Sequence, residues 1–345
     1  MILVTGATGF IGSHLVEELV KTEKVRCLVL KKDPILKQSK KREIILRRLG
    51  AEIVYGDLLD LDSLKKATKG VNKVFHLAAI ARPMNVPKHV YYDVNVKGTE
   101  NLIKAIGKAK LIHVSSMSVF GYSRDRTPLT EDSPKLPVSE YGESKKQGEE
   151  LALKLSNNIV VVRPPMIYGP RDFQFLTLFR GINSGFFPLL KKGKAKMEFT
   201  YVKNLVKGIL LVDKKGKNKE CYNISDAKTY TTKEVFTLIA EKENKKLFPI
   251  SPPVFLVRFI GKISEIISKI INIHPPFNSG TALWMTNDNI MDISKVKDLG
   301  YKNFITLEQG VEQTVKWYKK QKLLWKQYSY TLMQCVSITQ NTCHF

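Results

Sequence analysis

Cysteine is scarce in this chain, with four in 345 residues, at Cys27, Cys221, Cys335 and Cys343. No two are spaced as a CxxC pair, which argues against a disulfide framework or a cysteine-based metal site. Such a pattern fits a reducing cytoplasm. Also missing is any uncharged apolar stretch of about 18 residues, so no membrane-spanning helix is expected. A strand-like run starts at Ile2 with no basic segment ahead of it, so no secretory leader is expected. Acidic residues are short: 32 against 56 lysines and arginines, for a formal net charge of +24. The excess is mostly lysine, spread over Lys31–Lys32, Lys37–Arg48, Lys191–Lys196 and Lys214–Lys219 without interleaved aromatics. That distribution speaks against a nucleic-acid partner and for solvated helix faces. Peripheral attraction to an acidic lipid surface is the other reading it allows.

Apolar residues are plentiful, at 43%, enough for one large α/β domain with a smaller lobe. Short apolar runs alternate with helical periodicity through the first half, the signature of βαβ units. Strands are expected at Ile2–Val4, Val25–Leu30, Glu52–Tyr55, Lys73–Leu77, Leu111–Val114 and Ile159–Val162. Helices are expected near Ile11–Lys21, Lys37–Leu49, Ser63–Thr68, Val94–Gly107 and Tyr141–Leu155. Six strands with crossover helices predict a doubly wound parallel sheet of the Rossmann type over residues 1–163. Beyond Arg163-Pro164-Pro165 the rhythm weakens, predicting a substrate lobe over 164–320 with segments returning to the main sheet. Residues 321–345 read as a tail.

The segment Val4-Thr5-Gly6-Ala7-Thr8-Gly9-Phe10-Ile11-Gly12 follows a strand and opens a helix. Glycines at 6, 9 and 12 suit a tight turn, close backbone approach to a pyrophosphate and close helix packing. The helix N-terminus, at Thr8 to Gly12, offers unpaired N–H groups and a positive dipole end. Lys31 and Lys32 close the second strand ahead of Asp33, which tilts the cofactor towards NADP over NAD. Asp57 and Leu58 end the third strand, where the carboxylate could meet an adenine amino group or serve the cap of the next helix.

Tyr141-Gly142-Glu143-Ser144-Lys145 sets a phenol and an ammonium four apart on one helix face. A lysine there would lower the phenol pKa towards neutrality. Upstream, His113-Val114-Ser115-Ser116-Met117-Ser118 puts Ser116 past the carboxyl end of the fifth strand, where ligands sit in open α/β sheets.

The TGxxGxxG turn, HLAA at His76–Ala79, VNVKGTENLI at Val94–Ile103, VSSMSVFG, YxxxK and RPPMIYGP at Arg163–Pro170 together resemble the extended short-chain dehydrogenase/reductase family. Weaker matches at Tyr201–Leu205, Tyr222–Ser225 and Leu299–Tyr318 extend the likeness over most of the chain. The resemblance implies Tyr141 as acid/base, Lys145 as its partner and ribose contact, and Ser116 as the substrate-orienting hydroxyl. It matches Asn95 to a relay asparagine, a position that helix packing explains equally well. Ala78, Ala79 and Pro164 match residues lining the cofactor, and Arg163 reads as structural. By analogy the resemblance also implies a homodimer.

Within that family, nucleotide-sugar epimerases and dehydratases place an asparagine where this chain has Met166, and a thioether offers no such donor. The RPPMIYGP form looks closer to 3β-hydroxysteroid dehydrogenase and dihydroflavonol reductase relatives, which implies an apolar sterol-, hopanoid- or flavonoid-like substrate. A segment around 252–273 carries apolar residues on one helical face. It reads as a core helix of the lobe, a lid over such a substrate, or a membrane-surface element.

Overall fold

The computed structural model describes residues 1–31, 36–81, 87–185, 187–247, 250–257, 259–261, 263 and 283–324. The N-terminal half runs β1 (Ile2–Thr5), α1 (Phe10–Leu19), β2 (Val25–Val29), α2 (Leu36–Arg48), β3 (Glu52–Tyr55), α3 (Leu61–Ala67) and β4 (Lys73–His76). It continues through α4 (Lys88–Tyr92), a π-helical turn at Asp93–Lys97, α5 (Gly98–Ile106), β5 (Lys110–Val114), α6 (Glu140–Leu155) and β6 (Ile159–Arg163). The rest comprises β7 (Met166–Tyr168), α7 (Leu176–Asn183), β8 (Lys196–Met197), β9 (Phe199–Tyr201), α8 (Val202–Lys215), β10 (Cys221–Asn223), β11 (Tyr230–Thr231) and α9 (Thr232–Glu243). It closes with α10 (Ser294–Asp298) and α11 (Leu307–Lys320).

The main sheet has seven parallel strands in the order β10-β6-β5-β4-β1-β2-β3. Parallel strands need both faces covered, and Leu111-Ile112 of β5 and Ile159–Val162 of β6 are correspondingly apolar. Alternation sorts them: Val4, Ile112, Val160 and Val162 join one core, while Leu3, Leu111, Ile159 and Val161 join the other. Fully burying each such side chain is worth about 1.5–3 kcal/mol. The six strands expected from sequence are all present, and β10 adds a seventh at the β6 edge. It returns to the sheet from beyond residue 163, ahead of a third core built by α7, α9, α11 and the aromatic residues of β7 and β9. Leu323 and Leu324, at the start of the expected tail, are buried in that third core.

Helix starts are set by local chemistry. Asp60 caps α3 by accepting from the Asp62 and Ser63 N–H groups, and Ser139 caps α6 through Gly142 N–H. Thr231 with Glu234, and Thr306 with Gln309, form capping boxes for α9 and α11. None of the helices among the described residues is long and apolar enough to cross a membrane.

Candidate active site

Strand order reverses between β1 and β4, so the crevice of the sheet opens above their carboxyl ends. Gly6 ends β1 there, in the left-handed region at φ +67°. A Cβ on it would lie 2.7 Å from the backbone nitrogen of Ala78, just beyond β4. A Cβ on Gly12 would overlap the Gly6 carbonyl oxygen. This turn therefore admits only glycine at both positions, and it delivers the bare N-terminus of α1 to the crevice. Gly9 is the N-cap residue with no side-chain cap, and no acidic residue sits in the first turn. An anionic group is the complement of such an end. Thr8 is buried, Phe10 and Ile11 are half-buried, and the Thr5 hydroxyl accepts from Ala78 N–H at 3.2 Å. Ala78 and Ala79 are half-buried along the same crevice.

Two positions expected at the adenosine end are also placed. Lys31 is exposed directly after β2; Lys32 and Asp33 lie outside the described residues. Asp57 is exposed after β3, with Oδ1 accepting from Leu59 N–H at 2.9 Å, and Asp60 rather than Asp57 caps α3. Leu58 is buried beside Gly98.

The sequence reasoning missed Arg42. Its guanidinium donates to the Thr8 carbonyl at 2.8 Å and the Arg171 carbonyl at 2.9 Å, bracing the glycine turn from α2. Burial, together with the positive fields of Arg171, Lys203 and Arg42, lowers the pKa of neighbouring His14 to about 3. No motif marks Arg42, because its contact spans the helix α2 and a loop far along the chain.

On the other side of the crevice, Ser116 caps a short 3₁₀ turn at Met117–Val119 just past β5. Its oxygen accepts from Ser118 N–H at 3.1 Å and its hydroxyl reaches the Ser118 hydroxyl at 3.1 Å. Pro164 joins the group through its carbonyl, which accepts from Met117 N–H at 2.9 Å. Tyr141 stands on the first turn of α6, which packs against the turn that Ser116 caps, and the Ser116 hydroxyl acts on its phenol. Gly142 makes this approach feasible, since a Cβ there would come within 2.5 Å of the Ser118 carbonyl oxygen. Burial raises the Tyr141 pKa above its ordinary value, and the Ser116 hydrogen bond opposes that rise.

Lys145 lies one turn further along α6, buried, with its ammonium donating to the Val114 carbonyl at 2.9 Å. Burial lowers its pKa to about 8, against the opposing field of Glu149. The sequence expectation was that this lysine would lower the phenol pKa. Instead the last carbonyl of β5 holds the ammonium, and Ser116 is the group that eases the phenol. Beneath lie His76 and His113, their rings 5.3 Å apart. His76 bridges the Thr5 hydroxyl at 2.7 Å and the Thr99 hydroxyl at 3.0 Å. Burial and then the Lys145 field drive its pKa down to about 3, and His113 is lowered likewise. Both imidazoles are therefore neutral, and neither competes with Lys145 as a cation.

Asn95 sits in the π-helical turn, a feature often found at functional sites. Its Oδ1 accepts from Ile80 N–H at 2.8 Å, and its Nδ2 donates to the Ile80 carbonyl and to the Ser144 hydroxyl at 2.9 Å. Ser144 in turn donates to the Tyr141 carbonyl at 2.9 Å. Asn95 thus clamps the loop after β4 to the start of α6. Arg163 is fully buried and forms a two-pronged pair with Glu149, at 2.9 and 2.6 Å. Its guanidinium lies over the Phe120 ring, 4.9 Å from the centroid.

The turn, the cradle and the Tyr141–Ser116–Lys145 group thus share one crevice. Residues 2–225 match the model of the NAD dependent epimerase/dehydratase family. The chain belongs to that family. It is an enzyme of the extended short-chain dehydrogenase/reductase type, whose members work with a nicotinamide dinucleotide. Relatives include N-acetyl-alpha-D-glucosaminyl-diphospho-ditrans,octacis-undecaprenol 4-epimerase of Escherichia coli O157:H7, 27% identical over 92% of this chain and 94% of the relative. Sterol-4-alpha-carboxylate 3-dehydrogenase, decarboxylating, of Dictyostelium discoideum is 26% identical over 90% of this chain and 99% of its own length. Among solved structures, UDP-glucuronic acid 4-epimerase of Bacillus cereus with UDP-glucuronic acid and NAD superposes with a TM-score of 0.72. It is 26% identical, and the match covers 93% of this chain and 99% of that one.

Proposed function

We propose that this enzyme interconverts a secondary alcohol and a ketone on an apolar substrate, with Tyr141 as the proton donor and acceptor. The carrying observation is the packing of α6 on the turn just past β5, with Gly142 against the Ser118 carbonyl and the Lys145 ammonium on the Val114 carbonyl. Ser116 holds the substrate oxygen, on which charge develops. Lys145 presents a buried cation one helical turn from Tyr141, suited to ribose hydroxyls. Gly6, Gly9, Gly12 and the α1 N-terminus hold the pyrophosphate of NAD or NADP, with Ala78, Ala79 and Pro164 along its course. The bound dinucleotide supplies or accepts the hydride. Exposed Lys31 favours the 2′-phosphate of NADP.

Apolar substrate chemistry is supported by Met166 in β7, half-buried where a diphosphate-binding asparagine would otherwise stand. It is supported too by the sterol in the name of the Dictyostelium discoideum relative. Residues 164–320 would supply the substrate lobe. Absorbance at the reduced-nicotinamide band, followed with hydroxysteroids, hopanoid-like ketones and flavonoids, tests the reading. Silence across that panel, with turnover of a UDP-sugar, would overturn it.

The second reading, favoured by the likeness to the UDP-glucuronic acid epimerase, is nucleotide-sugar epimerisation on the same residues. It requires UDP binding, which calorimetry at millimolar nucleotide measures directly.

A further inference from the structure

Beyond α9 the chain turns at Asn244, whose left-handed φ of +58° ends the helix. After Pro252-Pro253 the backbone is helical at 254–257, 259–261 and 263, with Leu256 and Val257 N–H groups donating to the Pro253 carbonyl. Val257 and Gly261 face inward, Val257 joining the core of the lobe. Among the described residues the opposite face is apolar and exposed. Phe255 is 76% exposed and Phe259 61%, and Leu256, Ile260 and Ile263 continue the same exposed stripe. A face this apolar on a helix seated in the core is the inverse of an ordinary amphipathic arrangement.

Positive charge adjoins its N-terminal end. The turn at Leu190–Gly193 is tied to this region by Lys192 N–H donating to the Ser251 hydroxyl at 2.9 Å and Leu189 N–H to the Ile250 carbonyl at 3.4 Å. Lys191 and Lys192 adopt φ of +48° and +55°, a conformation that L side chains rarely take. Lys191, Lys192, Lys194, Lys245 and Lys246 are all exposed. Residues 187–197 and 244–263 together hold eight lysines and arginines and no aspartate or glutamate. A second copy docking symmetrically on this face would oppose the same cations to themselves. A bilayer with acidic headgroups complements both elements at once: aromatic side chains at the acyl boundary and lysines at the phosphates.

We propose that the Phe255–Phe259 stripe, with its adjoining lysines, is an interfacial docking surface for anionic membranes. Its helix lies in the membrane plane, and no helix among the described residues is long and apolar enough to cross. The inference stands apart from the choice of substrate, because it needs no turnover.

Sedimentation of the full chain with phosphatidylcholine vesicles, with and without one-quarter phosphatidylglycerol, tests it. The expected result is partition into the anionic vesicles, weakened about tenfold or more by raising salt from about 0.05 to 0.5 M. The double substitution F255S/F259S, both at exposed positions, should cut partition at least about tenfold. K192E/K194E should cut it by a similar factor, with circular dichroism and NAD(H) binding unchanged in both. No partition of the wild type, or partition indifferent to either double substitution, would overturn the proposal. So would light scattering showing a wild-type dimer that F255S/F259S converts to monomer, because the stripe would then be a subunit interface.

Discussion

Lys145 donates its ammonium to the Val114 carbonyl, binding α6 to the last residue of β5 at 2.9 Å. This contact ties α6 to the strand that Ser116 follows, two residues on. The phenol of Tyr141 and the hydroxyl of Ser116 thereby share one rigid frame, and their reactivity can be probed group by group.

Removing the phenolic oxygen is the sharpest probe. Tyr141→Phe should lower kcat for the proposed alcohol–ketone reaction by about 10²–10⁴-fold, the span of a lost general acid/base. The ring stays, so NAD(H) affinity by fluorescence titration should change less than about threefold. Comparable turnover in the variant would remove Tyr141 from its assigned role.

The pH profile follows from the direction of the phenol's shift. Burial favours the neutral phenol, so the phenolate needed to take a proton from an alcohol accumulates only as pH rises. Oxidation should therefore climb with pH, and ketone reduction should decline over the same interval. Ser116 opposes the rise, so Ser116→Ala should move the profile to higher pH besides slowing the reaction. A profile that keeps its midpoint in this variant would separate Ser116 from the phenol.

Gly6→Ala addresses the cofactor cradle. The new methyl would meet the Ala78 backbone at a residue held at φ +67°, so strain and overlap act together. A loss of about 2–4 kcal/mol in stability is expected, with NAD(H) binding weakened beyond detection by titration. Differential scanning calorimetry checks the first and fluorescence the second.

A buried acid in the lobe sets a stability limit on the alkaline side. Burial raises the Glu243 pKa to about 8, with the Asn183 amide and the fields of Lys319 and Lys245 opposing it. The folded state then holds a proton that the unfolded chain releases near pH 4.5, so Glu243 costs stability as pH rises from about 4.5 to 8. The slope is up to about 1.4 kcal/mol per pH unit. Glu243→Gln should raise Tm at pH 8 and leave it nearly unchanged at pH 5. An equal change at both values would show that the carboxyl titrates normally.

Much of this was legible in the sequence because four- and five-residue apolar runs, such as Ile159-Val160-Val161-Val162, announce buried parallel strands. The glycine spacing and the Tyr141–Lys145 step announce a local geometry in the same way. The π-helical turn was not legible. Its extra residue at Asp93–Lys97 leaves the apolar rhythm of Val94–Gly107 nearly intact, so a single helix was expected there. Nor could Cys221-Tyr222-Asn223 be read as a strand, since three residues carry no period and the partner β6 lies far back in the chain. The 252–273 segment shows its periodicity in sequence but not its orientation; residues 258, 262 and 264–273 lie outside the described residues, and in the described part Val257 turns against the lobe core.

The placement of β10 has a consequence for how the molecule comes apart. β6 would be an outer strand of the sheet without it, and its buried Ile159–Val162 run has no charge or proline to discourage pairing with another chain, Arg163 being taken up by Glu149. A fragment ending near residue 216 would bare that edge. The dinucleotide-binding half and the segment that follows it should accordingly melt as one cooperative transition, and the isolated half should aggregate on expression.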